Sequence, residues 1–250
     1  MKRFIRIFLI ASCIAGSIFN SVQAQDINKL RLGLTASPSV NWFSPDNRNW
    51  EGDGANLGIS FGLVADIVLV DNDNYLLHTG FNFTNTGGEV KFPTARLNDA
   101  DQWIATEAQA DYRLQYVDIP LAIKLRTNEI GYVHYYGLFG ATTGFNIRAK
   151  RDIEYSAMDV SIEDEDVSSD VSLFRVGLLV GAGAEFKISG STNLQVGVSY
   201  QNGFTSILKG DTYETSDDGV VVIENNQEPG EDRAIKTLQN IFSLNLSVLF

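Results

Sequence analysis

The sequence predicts an all-β fold, an eight-stranded antiparallel up-and-down transmembrane β-barrel, and three observations lead to that prediction. Apolar and polar residues alternate along eight segments of the chain. The connections between these segments alternate between long acidic stretches and short turns. The alternating run 57–69 also exceeds the roughly 9–11 residues of a tilted membrane strand, whereas a soluble strand has about 5–6.

The second predicted strand shows how the two faces differ. One face is apolar: Leu57, Ile59, Phe61, Leu63, Ala65, Ile67 and Leu69. The other is small or polar, apart from one valine: Gly58, Ser60, Gly62, Val64 and Asp66. A glycine-rich face suits the crowded interior of a narrow barrel, so we expect the apolar face to contact lipid. The chain after residue 24 has no run of roughly 18 uninterrupted apolar residues, which argues against transmembrane helices.

The alternation sets the predicted boundaries. The strands are expected at 29–42, 56–69, 75–84, 112–126, 132–146, 172–188, 193–204 and 235–250. Short turns rich in Asn, Asp, Gly and Ser follow at Val70–Asn74, Thr127–Gly131 and Ser189–Thr192. The long connections are 43–55, 85–111, 147–171 and 205–234. Membrane barrels have short periplasmic turns and long outer loops, so we expect four long loops outside and both termini in the periplasm.

The first 24 residues have the composition of a cleavable signal peptide. Three basic residues open the segment: Lys2, Arg3 and Arg6. Residues 7–19 are mostly apolar, and Val22-Gln23-Ala24 has the small residues of a cleavage site. The predicted organisation is a signal peptide, 1–24, and an outer-membrane barrel domain, 25–250. Export of a barrel predicts the outer membrane of a Gram-negative bacterium and contact with its lipid.

A second interpretation of the same segment is a lipoprotein signal. Ile10-Ala11-Ser12-Cys13 resembles the sequence at which a lipoprotein cysteine is lipidated. The apolar character continues past Cys13 through Ile14, Ile18 and Phe19, which favours ordinary cleavage. Ordinary cleavage leaves a chain without cysteine, and therefore without disulfides.

The charge balance excludes some partners. The chain has 19 Lys and Arg against 31 Asp and Glu, a net charge of −12. Such a surface repels nucleic acid, and it repels anionic lipid headgroups unless divalent cations bridge them. Acidic residues concentrate in 159–170 and 205–234, which predicts a solvated acidic surface. Calcium binding stays open as an alternative, although neither run has the spacing of a dedicated calcium loop.

One stretch resembles a known family. Tyr116-Val117-Asp118-Ile119-Pro120-Leu121-Ala122-Ile123-Lys124 resembles a signature of the PorT-like outer-membrane β-barrels. Further similar stretches are Gly80–Phe83, Tyr136–Leu138, Val180–Phe186 and Tyr200–Phe204. The resemblance covers the chain after the signal peptide and implies an eight-stranded outer-membrane barrel. PorT belongs to a secretion apparatus, so the resemblance also implies an accessory role in a secretion or envelope complex.

The last predicted strand carries an expected assembly signal. Its apolar face comprises Phe242, Leu244, Leu246, Val248 and Phe250. A terminal aromatic residue on an amphipathic strand resembles the signal read by the barrel-insertion machinery, which is therefore an expected partner.

Charged residues within the strands are predicted to point into the lumen, because charges facing lipid are costly. This set comprises Arg31, Asp66, His78, Asp118, Lys124, Arg175 and Glu185. We expect Lys124 to pair with Glu185 near the periplasmic end and Arg175 to pair with Asp118 higher up.

Two further features are given structural roles. Pro120 lacks an N–H, so we expect it at a bulge or an irregular start of the fourth strand. Aromatic girdles at the membrane interfaces are expected from Tyr75, Phe83, Tyr112, Tyr132, Tyr135, Phe145 and Tyr200.

No residue set amounts to a catalytic, metal or cofactor site. The chain has two histidines. His78 is expected as a buried, hydrogen-bonded lumen residue, and His134 lies near a periplasmic turn. The sequence thus predicts a non-enzymatic barrel with a structural or surface-interaction role through its acidic loops. A thin pore stays open, since eight strands leave an interior just wide enough for side chains.

Overall fold

A computed structural model describes residues 29–69, 73–98, 100–157, 160–224 and 226–250. Arg31–Phe250 form one compact unit. The predicted signal peptide and Cys13 lie outside the described residues. Within the described part of the chain, no helix is long and apolar enough to cross a membrane.

Eight long strands form a closed wall. They are β1 (Leu30–Pro45), β3 (Ala55–Val68), β4 (Tyr75–Leu97), β5 (Trp103–Arg126), β6 (Val133–Tyr155), β8 (Phe174–Ser189), β9 (Thr192–Gly203) and β12 (Thr237–Leu249). Four short strands accompany them: β2 (Glu51–Gly52), β7 (Val160–Asp166), β10 (Asp211–Tyr213) and β11 (Glu231–Ala234). Each long strand is hydrogen-bonded to the next, and β12 pairs antiparallel with β1 to close the barrel. The predicted eight-stranded up-and-down barrel is confirmed.

The two faces of the wall differ as the alternation predicts. Apolar side chains such as Phe81 and Phe139 point outward, with 57% and 65% of their surface exposed. Inward positions are mostly small or polar, with some buried apolar side chains such as Leu138 and Leu179, and glycine is required where strands crowd together. A Cβ at Gly62 would lie 2.0 Å from the carbonyl oxygen of Phe81. The lipid-facing exterior and polar lumen therefore follow directly from the period of two.

Short turns gather at one end of the barrel, which we call the turn end. They connect β3 to β4, β5 to β6 and β8 to β9. Gly131 and Gly190 have φ angles of 72° and 54°, a conformation that glycine adopts without steric cost. The last strand also finishes here, where the N–H of Phe250 donates to the carbonyl of Leu32 at 2.7 Å. The opposite end is the loop end.

Two of the four predicted long loops are largely strand, which corrects the sequence prediction. β4 and β5 continue as a hairpin as far as Leu97 and Trp103, through most of the predicted loop 85–111. β6 likewise runs to Tyr155 and turns back as β7, within the predicted loop 147–171. Beyond Ile147 the outer face of these extensions is mostly polar, as expected of a loop.

We call the structure beyond the apolar belt the crown. Its described residues are 46–54, 85–98, 100–115, 147–157, 160–173, 204–224 and 226–236. Its buried core is completed by two residues of the adjoining wall, Phe43 and Tyr116. The core residues of the crown itself are Trp50, Val90, Ala108, Ala110, Tyr112, Leu114, Ala149, Ile153, Val167, Val171, Ile207 and Leu208. Tyr112, predicted for an interface girdle, instead packs inside this core with 3% of its surface exposed. The crown thus has an apolar interior where the barrel below has a polar one.

Strand β5 shows where this polarity inverts. Its even-numbered residues point inward along the whole strand, from apolar Leu114 in the crown to charged Lys124 in the lumen. Its odd-numbered residues point outward, from polar Arg113 to apolar Val117 and Leu121. The outer boundary of the apolar belt therefore lies near residue 116.

Pro120 lies in the middle of β5, not at its start, so that prediction was wrong. The pairing with β4 lapses between Asp118 and Leu121 and resumes in the same register, without a bulge. Pro120 itself is buried on the lumen side. Because register on both sides is unchanged, the wall tolerates the missing N–H as a local gap in the ladder.

Candidate functional site

The lumen near the turn end is filled by a cluster of charged side chains centred on Lys124. The ammonium of Lys124 is fully buried, 2.5 Å from Asp66 Oδ2 and 3.5 Å from Glu185 Oε2. It also lies 4.6 Å from the ring centre of Tyr136. The predicted residues Lys124 and Glu185 are therefore brought together, with Asp66 as an additional partner that sequence reasoning placed in the lumen but did not pair.

Other side chains complete this turn-end layer. Gln195 donates to Asp66 and to Glu185, at 3.2 and 3.1 Å. Arg126 donates to Glu185 at 3.1 Å, and Arg31 forms an ion pair with the same carboxylate. Each buried carboxylate thus has several donors, as a dehydrated charge requires.

The two histidines belong to the barrel's framework. His78 points into the lumen, with its Nδ1 2.7 Å from Asp66 Oδ1. The predicted hydrogen-bonded histidine is confirmed, although it is partly rather than fully buried. His134 lies at the turn end, with Nδ1 3.0 Å from the carbonyl oxygen of Thr127.

A second polar layer crosses the lumen below the crown. The guanidinium of Arg175 donates to both oxygens of Asp118, at 2.9 and 3.1 Å, so the structure brings this predicted pair together too. Arg175 also bonds to Gln239 and lies 4.0 Å from the ring centre of Tyr116. Gly144 makes room for the pair, since a Cβ there would be 2.2 Å from Asp118 Oδ1.

A cavity of about 70 Å³ lies in the lumen, with Asp118 and Gln195 of the two polar layers among its lining residues. Asn82 and Thr142 also line it, and each has a buried oxygen without a hydrogen-bond partner among the described atoms. A cavity needs roughly 10–15 Å³ of such volume to hold one water molecule. The cavity therefore has room for water and provides two groups that could bind it.

Two carboxylates of the predicted acidic run 159–170, Asp164 and Glu165, have basic partners in the crown. Strand β7 pairs with the basic part of β6, where Arg151 Nε is 2.7 Å from Glu165 Oε2. Lys150 forms an ion pair with Asp164, and its hydrogen bond holds the pKa of that carboxyl below its ordinary value. The predicted solvated surface agrees with the exposure of Glu163, Asp164 and Asp166, but the ion pairs to β6 were not predicted. The missed signal was the complementary basic stretch 148–151, a short turn away in the chain.

A cleft of about 480 Å³ opens at the crown beside the acidic segment 205–234. Trp50 and Phe92 stack in its wall, with ring centres 4.4 Å apart. Tyr112 lies in the same wall and accepts a hydrogen bond from Arg151 at 3.4 Å; burial raises the pKa of its hydroxyl. Lys209, Asp170 and Asp211 are among the polar residues that line the cleft. The cleft thus combines aromatic surface with both signs of charge.

The segment 205–234 is anchored in the crown. Ile207 and Leu208 are buried in the crown core, and the β10–β11 pair stiffens the segment farther along. By contrast, Asp217 is fully exposed, with Arg48 at 3.6 Å as an ion-pair partner. Among the described residues, no group of three His, Cys, Asp or Glu side chains is arranged to hold a metal ion.

The predicted assembly residues form the outer face of β12. Phe242, Leu244 and Leu246 are exposed toward the lipid side, as is Phe250 after the strand's end. Val248 is partly exposed on the same face. β12 lies between β9 and β1, so it is the strand that closes the barrel. Recognition of this face by insertion machinery remains a prediction.

One comparison with known proteins identifies a family. Residues 23–209 match the family described as outer membrane protein beta-barrel domain. Among solved structures, Neisserial surface protein A is 11% identical, with 87% of this chain and 95% of that chain covered and a TM-score of 0.41. The attachment invasion locus protein Ail of Yersinia pestis is 13% identical, with coverage of 89% and 99% and a TM-score of 0.36. OprG of Pseudomonas aeruginosa is 9% identical, with coverage of 88% and 94% and a TM-score of 0.36. None of the curated proteins matches the chain significantly.

Proposed function

The chain belongs to the family of outer membrane protein β-barrel domains, and from this premise we propose that it is a surface-interaction protein. In this proposal the barrel is a closed anchor, and the crown presents the acidic segment 205–234 and its adjoining cleft to a partner outside the cell. The turn end then faces the periplasm, as the asymmetry of short turns and long outer connections favours.

The crown's own hydrophobic core is the observation that carries the proposal. Flexible outer loops need no interior, yet this core buries aromatic residues such as Phe43, Trp50 and Tyr112. Burying large aromatic side chains contributes substantially to stability. A rigid surface loses less entropy on binding than a mobile loop, so a folded crown suits recognition.

The packed lumen supports an anchor rather than a channel. Lys124 and Arg175 lie in two polar layers across the interior, and a cavity of about 70 Å³ remains in the lumen. We therefore expect no steady conductance when the purified protein is inserted into planar bilayers. A stable open level would contradict the closed anchor.

The charge of the segment favours a cationic partner. Its acidic residues are Asp211, Glu214, Asp217, Asp218, Glu224, Glu228, Glu231 and Asp232, against Lys209 and Arg233. Exposed charges are screened over about 8 Å at physiological ionic strength. Binding through this surface should therefore weaken as salt is added.

An accessory role in a secretion or envelope complex is the second candidate. It rests on the resemblance of Tyr116–Lys124 to PorT-like barrels. Within that segment, Asp118 and Lys124 belong to the two lumen layers. These charged residues thus serve the barrel's interior, and partner contacts in such a role would fall to other residues at the turn end.

One cross-linking experiment tests both candidates in living cells. A photo-reactive residue replaces either Asp217 in the crown or Glu129 in a short turn, both of which are exposed. The surface role predicts a defined cross-linked partner from Asp217 that is lost at high salt. A partner from Glu129 alone would favour the accessory role, and the absence of any partner at both positions would contradict both.

A further inference from the structure

Three basic residues form a patch on the outside of the barrel at the upper edge of the apolar belt. The register of β4, β5 and β6 places the outward residues in rows. Phe83, Val117 and Phe145 form a row in the apolar belt. The rows above it are Asn85, Gln115 and Arg148, and then Gly87, Arg113 and Lys150. We call Arg113, Arg148 and Lys150 the lateral basic patch.

A β-bulge aims Arg148 outward. On β6 the register shifts at this level, so that Tyr116 pairs with Asn146 while Gln115 pairs with Arg148. Ile147 is the extra residue. Without it, Arg148 would share the inward face of Gly144 and Asn146 and would point into the lumen. Bulges commonly redirect a side chain in this way. Here both Ile147 and Arg148 are exposed on the outer surface.

The patch retains positive charge that ion pairs within the protein do not neutralise. In the part of the chain that the structure describes, Arg148 forms no ion pair with a carboxylate within 4 Å. Arg113 is 51% exposed and pairs with Asp152 at 2.8 Å and Asp164 at 3.3 Å. Lys150 pairs with Asp164 as well. Two of the three cations thus share one carboxylate at the upper rim of the patch, and the third is unpaired.

The patch borders a groove that is apolar on one side. The groove has a volume of about 350 Å³ and is lined by Leu57, Asn85, Gln115 and the patch residues, among others. Leu57 is 87% exposed, so it presents a large apolar side chain to the surroundings of the groove. On the other side of β6, Phe145 is paired with Phe174 of β8. The neighbouring strand therefore has an aromatic residue at this level and no charged one.

We propose that the lateral basic patch binds the phosphate of a phosphorylated glycolipid headgroup in the outer leaflet. Ile147 contacts its acyl region, while Arg148 and Arg113, in two successive rows above it, bind the phosphate beside Leu57. Guanidinium groups match phosphate in geometry and charge. The site is independent of any partner at the crown, and it is a local exception to a chain whose net charge of −12 repels anionic lipid.

The test uses purified full-length protein in neutral detergent micelles with EDTA present. The protein is titrated with phosphorylated lipid A, with phosphate-free lipid A of the same acyl composition, and with inorganic phosphate. We expect the phosphorylated lipid to bind most tightly. Removing one cation near a lipid surface costs about 1 kcal/mol, so R148Q should weaken its binding about fivefold. R113Q should weaken it as well, and R148K should retain most of it.

Lys187→Gln is the matched control, because Lys187 is exposed at the turn end, away from the outer leaflet. It should bind phosphorylated lipid A as the unmodified protein does. Equal affinity for the two lipids, or equal effects of R148Q and K187Q, would overturn the proposal. So would inorganic phosphate binding as tightly as the lipid, or binding that needs divalent cations, which would assign it to the carboxylate of Asp164.

Discussion

The apolar belt and the crown are built partly from the same three strands, β4, β5 and β6, with opposite polarity. In the belt, apolar side chains face outward and charged ones are paired inside the lumen. In the crown, polar side chains such as Arg113 face outward and Leu114 is buried. On β4 and β5 the backbone alternation is unchanged between the two regions, whereas β6 has a bulge at Ile147. The surrounding solvent, lipid or water, therefore determines which face of a strand carries the apolar residues.

The largest expected effect is on the lumen, where the belt depends on paired charges. Removing one partner of a buried ion pair costs about 3–5 kcal/mol, because the other charge stays buried without compensation. We expect Lys124→Ala to lower the free energy of unfolding by about that amount, measured by urea denaturation in micelles. Lys187→Ala, at an exposed site, is the control and should have no comparable effect. An unchanged transition in the Lys124 variant would mean that the lumen charges do not stabilise the barrel.

The next effect separates the interior of the crown from the exterior of the belt. Leu114→Ala leaves a cavity in the crown core, and such truncations cost about 2–5 kcal/mol. Leu121→Ala, on the lipid-facing side of the same strand, leaves no internal cavity. Hydrogen exchange should show weaker protection of crown amides in the Leu114 variant and unchanged protection of these amides in the Leu121 variant. Equal protection in both would contradict a folded crown core.

Assembly should depend on the outer face of β12. Deleting Phe250 should lower the amount of membrane-inserted protein several-fold while export to the periplasm continues, because the expected signal for insertion is lost. Fractionation of envelopes and heat-modifiability on gels measure the two quantities. Normal insertion of the shortened chain would remove Phe250 from the assembly signal.

The smallest expected effect is the pH dependence of the crown's exposed ion pairs. The hydrogen bond from Lys150 lowers the pKa of Asp164 below its ordinary 3.8. A carboxyl with a lowered pKa in the folded state stabilises that state above its unfolded pKa, and loses this contribution as pH falls through the folded value. The contribution of this pair to the thermal midpoint of the crown should thus stay constant between pH 5 and 7 and decrease slightly below pH 3.8. A loss near pH 6 would implicate a different group.

Much of the belt could be predicted from the sequence. The alternation placed the eight strands, the turn end and the inward position of residues such as Asp118 and Lys124, because burial in lipid enforces a strict period of two. The particular partners of Lys124 could not be predicted fully. Asp66 reaches it from another strand, and Gln195 joins Asp66 to Glu185. These contacts depend on the stagger between strands, which the sequence of a single strand does not determine.

The crown was missed for a physical reason. The run from Ala108 to Tyr116 keeps the period of two, but its apolar face continues the lumen face of the strand, so the lipid pattern breaks off there. The bulge at Ile147 further shifts the alternation on β6. The outward residues of the crown strands are small or polar, which is a composition typical of loops. Two signals would have indicated a folded extension. One is the change of the apolar residues from the outward to the inward face of the same strand. The other is the opposite charge of 148–151 and 163–166.

The most direct test measures where the outer surface of β5 leaves the membrane. Single cysteines replace outward residues in turn, Glu107, Arg113, Gln115, Val117 and Leu121, and each carries a spin label in the protein reconstituted in lipid. The two-region account predicts access to a water-soluble relaxation agent from Glu107 to Gln115, and access to oxygen in lipid from Val117 onward. Water access extending to Leu121, or lipid access at Glu107, would contradict it.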